Sequence, residues 1–118
     1  MISFYIDSAT QKAHLVIFDR ERVLGSKTVP VGPLAKEDLF VERESLMKEC
    51  GVDSKNLSFV GIGVGPGSYT GIRVASSIGA TLAYSLSIPL ITINSMEGYS
   101  YKTPFVTVFD AKRGKVYL

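Results

Sequence analysis

The stretch Gly63–Arg73, GVGPGSYTGIR, constrains this chain more than any other. An apolar run, Phe59–Val64, enters it and a small-residue run, Thr70–Leu86, leaves it. Closely spaced glycines and a proline break regular structure, so the segment reads as strand, tight loop, helix. At about 100° per residue, Gly71, Ala75, Ile78, Gly79, Leu82, Ala83 and Leu86 fall on one side of that helix. The row Gly71, Ala75, Gly79 and Ala83 is spaced by four and lets another backbone approach closely. Arg73, Ser77, Ala80 and Tyr84 take the opposite face. After Pro89, Leu90–Ile93 reads as the next strand, completing a β-α-β unit.

The preceding residues alternate. Ile2, Phe4 and Ile6 share one face of a first strand, Ile2–Ile6, with Ser3, Tyr5 and Asp7 on the other side. His14–Phe18 and Arg22–Val29 form two more strands across the charged turn Asp19-Arg20-Glu21, giving an antiparallel meander. Pro30-Val31-Gly32-Pro33 ends it, because such a run cannot continue a strand. Lys36–Cys50 then reads as a helix, with Glu37 and Asp38 in the first turn, where negative charge suits the dipole. Leu39, Leu46 and Cys50 form its apolar stripe with Phe40 and Met47 beside it, and Gly51 stands where a C′ glycine belongs. The carboxylates Glu37, Asp38, Glu42, Glu44 and Glu49, interleaved with Lys36, Arg43 and Lys48, read as its solvated face.

Toward the C-terminus, Asn94 is placed to cap a short helix through about Tyr101. Phe105–Phe109 reads as a strand, Asp110–Gly114 as a turn, and Lys115–Leu118 as the start of another strand. That last strand either opens further structure or pairs back on Phe105–Phe109. The order β-β-β-α-β-α-β predicts an α/β fold, a mixed sheet with helices packed against it.

Composition narrows the function. At 118 residues with 46% hydrophobic and 20% charged residues, one globular domain is expected. A net charge of +2 is too small to argue for nucleic-acid binding. The lone Cys50 excludes an internal disulfide and fits a reducing compartment. The single histidine, His14, excludes a metal site needing two imidazoles. No apolar run approaches the ~20 residues of a membrane helix, and Met1–Asp7 lacks the basic start of a secretory peptide.

Two segments carry candidate chemistry. In the glycine loop (Gly63, Gly65, Pro66, Gly67, Ser68, Tyr69, Thr70, Gly71, Arg73), backbone N–H groups can converge on an anion at a helix start. It lacks the Lys-Ser or Lys-Thr of a Walker A loop, the third glycine of a dinucleotide fingerprint, and the flanking glycines of a nucleophile elbow around Ser68. A structural tight turn and a ligand or partner contact both remain open. Asp7, Ser8 and Thr10, directly after the first strand, either cap a turn or turn carboxylate and hydroxyls toward a phosphate.

Taken together, IDSAT at 6–10, GVGPGSYTGIRV at 63–74 and FDAKRGKVY at 109–117 resemble the TsaB (YeaZ) family across essentially the whole chain. The resemblance implies a lobe of the actin/Hsp70/sugar-kinase superfamily, which is ribonuclease H-like. In such lobes an acidic residue ends the first strand and the hairpin after it cradles phosphate. It implies residues 1–103 as the N-terminal lobe and 104–118 as the first strand or hairpin of a truncated second lobe. It makes Asp7, Ser8, Thr10 and Asp110 vestigial phosphate-binding positions.

The family belongs to the bacterial machinery that makes N6-threonylcarbamoyladenosine at position 37 of tRNA. The implied role is a non-catalytic dimerisation or scaffold subunit beside a TsaD-type catalytic subunit, with a TsaE-type ATPase in the assembly and tRNA reached only indirectly. The chain is expected to be cytoplasmic and to need no cofactor, with ATP or ADP held only at a complete two-lobe cleft or in a complex. The metal-binding histidines of the TsaD branch are absent, and Lys36-Glu37-Asp38 stands where family members usually carry a histidine. Leu39, Phe40, Met47, Ala75, Gly79 and Ala83 are the expected interface, toward the partner or a second copy. The competing reading is a nucleotide-binding or phosphotransferase lobe, or a peptidase-like protein of the glycoprotease-related family.

Overall fold

The computed structural model describes residues 1–9, 12–20, 22–30, 39–65, 69–95, 109–112 and 115–117. Strands β1 (Ile2–Asp7), β2 (Lys12–Asp19) and β3 (Arg22–Pro30) form the expected meander. Helix α1 (Leu39–Cys50) and a 3₁₀ turn (Ser54–Asn56) lead into β4 (Leu57–Gly63). Helix α2 (Tyr69–Leu86) then connects β4 to β5 (Leu90–Ile93). The sheet order is β3-β2-β1-β4-β5. β1 runs parallel to β4, and β4 parallel to β5, so the sheet is mixed.

Register explains the core. Phe4 lies between Ile17 and Val60, and Ile6 between Leu15 and Ile62. All six are buried, on the face that receives both helices. α2 presses Ala75, Ile78, Leu82 and Ala83 onto it, and α1 presses Leu39, Leu46 and Met47. Lys27 of β3 ties α1 down from the side, with its Nζ 3.3 Å from Glu42, 3.0 Å from Ser45 and 3.3 Å from Glu49.

Gly79 shows how close α2 comes. A Cβ built there runs into the Cγ2 methyl of Ile62, with Val60 3.4 Å away. The small-residue row therefore serves the sheet. The expected interface needs correction here: Leu39, Met47, Ala75, Gly79 and Ala83 are core residues, and Phe40 alone of the set is half-exposed, at 49%. Crossover helices bury their most apolar stripe against the sheet they span.

Other expectations shift in detail. Arg43, read as part of a solvated face, is 9% exposed. Its guanidinium donates to Glu44 at 2.8 Å and lies 3.7 Å from the Met47 sulfur. Asn94 and Ser95 are not helical, and residues 96–101 of the predicted short helix lie outside the described residues. So do Lys36–Asp38 and the predicted strand residues 105–108. Residues 110–112, expected in a turn, are part of strand β6 (Phe109–Lys112), which pairs antiparallel with β7 (Lys115–Tyr117), and residues 113–114 lie outside the described residues. Ladder hydrogen bonds override the polar, turn-like composition of Asp110 and Lys112.

Candidate functional site

β1 and β4 are parallel neighbours, so the connections that follow them emerge at the same edge of the sheet. The segment after β5 joins them there. Crevices at the carboxyl ends of parallel strands are where α/β sheets place ligands. The two segments singled out by sequence, the one after β1 and the glycine motif after β4, meet at this edge with the segment after β5.

Asp7 closes β1. It is 7% exposed, and both carboxylate oxygens are engaged: Oδ1 accepts from the Ala9 N–H and Oδ2 from the Tyr5 hydroxyl, each at 2.8 Å. The first bond is the turn-capping role, a side chain mimicking a backbone turn. The carboxylate lies against Gly63 of β4, where an added Cβ would run into it. Ser8 is fully buried and donates its hydroxyl hydrogen to the Gly71 carbonyl in the first turn of α2.

The glycine motif starts from a fixed point. Gly65 has φ +93°, a left-handed conformation that glycine adopts without steric cost. Its N–H donates to Ser95 Oγ at 2.9 Å, and its carbonyl accepts from the Ser95 N–H at 3.0 Å. One step earlier, Val64 N–H donates to the Ile93 carbonyl at 3.0 Å, continuing the β4–β5 ladder.

Asp7, Ser8, Gly63, Gly65 and Gly71 are therefore brought together. Tyr69 and Thr70 lie in the first turn of α2, and Arg73, one turn on, is exposed. Thr10, Pro66, Gly67 and Ser68 lie outside the described residues. Asp110 lies on β6, opposite Val116 in register. Sequence reasoning missed two contributors. Tyr5 could have been found, because it shares a strand face with Asp7. Ser95 could not, since its bond to Gly65 spans 30 positions.

Chemically, the hairpin after β1 is turned inward. The Asp7 oxygens and the Ser8 proton satisfy groups of the fold itself. His14, on β2, has its Nδ1 3.2 Å from Thr28 Oγ1 on the neighbouring strand. Burial pushes the Cys50 thiol above its ordinary pKa, and the neighbouring Glu49 adds to this, the opposite of what an activated thiolate needs. Among the described residues no three His, Cys, Asp or Glu side chains group as a metal site.

The sequence model of the family described as TsaD, tRNA N6-adenosine threonylcarbamoyltransferase, matches residues 36–118. The chain belongs to the TsaB (YeaZ) and TsaD family. A Bacillus subtilis (strain 168) relative, tRNA threonylcarbamoyladenosine biosynthesis protein TsaB, is 38% identical over 78 residues. That match takes in 62% of this chain and 34% of the relative.

Two solved structures share the fold. YeaZ from Pseudomonas aeruginosa aligns at TM-score 0.71 and 24% identity, over 81% of this chain and 46% of that one. A protein titled as similar to peptidase YeaZ from the same organism aligns at TM-score 0.82 and 22% identity, over 98% and 56%. The fold is the actin and ribonuclease H-like one that the sequence resemblance implied. The chain spans about a third of the Bacillus relative and about half of each solved chain.

Proposed function

We propose that this chain serves the synthesis of N6-threonylcarbamoyladenosine at position 37 of tRNA, as a non-catalytic scaffold that pairs with a TsaD-type catalytic subunit. Family membership and the name of the Bacillus relative support the pathway. The observation that carries the non-catalytic role is the closed hairpin: Asp7 and Ser8, the groups a phosphotransferase lobe would turn toward a phosphate, bond to Tyr5, Ala9 and Gly71 instead.

With the small-residue row committed to the sheet, the outer helix faces take over the partner role. Phe40 and Val41 of α1 are exposed, as are Arg73, Ser77, Ala80 and Tyr84 of α2, with Tyr84 at 89%. In the absence of the partner, a second copy of the chain docks on the same faces. A TsaE-type ATPase joins the assembly, tRNA is reached through the complex, and the setting is the cytoplasm. Residues 1–103 form the lobe that pairs, and 104–118 open a second one.

Calorimetric titrations test this directly. The chain is expected to bind a TsaD-type subunit and to give no heat with ATP. Saturable ATP binding by the isolated chain, with no binding to the subunit, would replace this reading with the nucleotide-binding one.

A further inference from the structure

The glycine motif is held at both ends by serines from elsewhere in the chain. At its start, Ser95 and Gly65 exchange two hydrogen bonds. At its end, Ser8 bonds the Gly71 carbonyl. The two serines come from different connections, one after β1 and one after β5, and their relative exposures are 0% and 1%. Buried hydroxyls are costly to leave unpaired, so each bond resists opening. Gly71 and its first-turn neighbours carry the end of α2 whose outer face holds Arg73 and Ser77.

We propose that Ser8 and Ser95 are positioning residues that act as a clasp, fixing Gly65 and Gly71 and thereby the first turn of α2 in the orientation a partner subunit meets. The last clause rests on the pairing proposed above. The clasp itself rests on the hydrogen bonds. It differs from a phosphate-cradling role for Ser8, because the hydroxyl is directed at α2.

Amide hydrogen exchange on the full chain tests the clasp. The amides to follow are Gly65, which donates to Ser95, and Ala75, whose helical acceptor is the Gly71 carbonyl. Ser95→Ala is expected to speed exchange at Gly65 by about tenfold or more and to spread to Ala75, with β2 and β3 unchanged. Ser8→Ala is expected to act from the other end, at Ala75. Ser95→Cys, close in size but a weak acceptor, is expected to match Ser95→Ala and carries the comparison if that variant does not fold. Ser95→Thr is expected to restore protection.

Unchanged exchange at both amides, or an acceleration shared equally by β2 and β3, overturns the clasp. In the second arm, affinity for a TsaD-type subunit is expected to fall about threefold or more in Ser95→Ala and to recover in Ser95→Thr. Fast exchange with undiminished affinity overturns the link to partner binding. A wild-type chain that does not bind the subunit overturns the pairing instead, and the exchange arm then decides the clasp alone.

Discussion

Gly79 is where α2 meets the sheet with no side chain between them. A leucine there has nowhere to go but into Ile62 and Val60, so α2 must lift or the strand must shift. Overpacking of this kind costs about 1–3 kcal/mol. Gly79→Leu is therefore expected to lower the thermal midpoint by several degrees, read by circular dichroism. Cys50 gives a second residue-scale test. Burial, then Glu49, raises its folded pKa above the ordinary value of 9.0. The neutral thiol is favoured in the folded state, so its contribution is full below about pH 9 and is lost as pH rises through the folded value. Denaturant melts at pH 8, 9 and 10 are expected to show a steeper stability loss for the wild type than for Cys50→Ala.

At the scale of elements, the two helices end in the same way with different residues. After α1, Gly51 takes φ +67°, with Gly51 N–H on Lys48 and Val52 N–H on Met47. After α2, Ser87 takes φ +55°, with Ser87 N–H on Tyr84 and Ile88 N–H on Ala83. The left-handed cap suits glycine and costs a side-chain-bearing residue about 1–2 kcal/mol. Ser87 is exposed, so nothing else is lost on replacement. Ser87→Gly is expected to raise stability by about 0.5–1 kcal/mol in urea melts, net of the extra entropy glycine carries in the unfolded chain. The end of α1 was legible because glycine announces the cap. The end of α2 was found through Pro89, which cannot continue a helix, and Ser87 itself gave no sign.

For the whole molecule, the two faces of α2 have separate duties. The inner row builds the fold, and the outer residues Arg73, Ser77, Ala80 and Tyr84 are exposed. Neighbouring substitutions should therefore divide cleanly. Ala80→Trp is expected to change the stability by no more than a surface substitution does, about 0.5 kcal/mol. It is also expected to weaken self-association and binding of a TsaD-type subunit by obstructing the outer face. Gly79→Leu is expected to do the reverse. Sedimentation velocity with parallel thermal melts reads both variants. A wild-type chain that stays monomeric at high micromolar concentration would refute self-association through these faces.

The order of elements from β1 to β5 and much of the core were legible in the chain alone. Alternation at Ile2, Phe4 and Ile6, the apolar stripe of α2, and the proline and glycine stops are local signals, each contained within a few residues. The sequence also picked out Asp7, Ser8 and the glycine motif, because unusual residue types mark unusual backbone. Tertiary structure decided what those residues touch. A row of small residues permits close packing but does not say against what, and the answer, β4, depends on where the crossover lays the helix. Arg43 is placed as a charged helix residue and buried only by the surrounding chain. Ser8 meets Gly71 and Ser95 meets Gly65 because β1, β4 and β5 lie side by side, an adjacency set by strand order and not by distance along the chain.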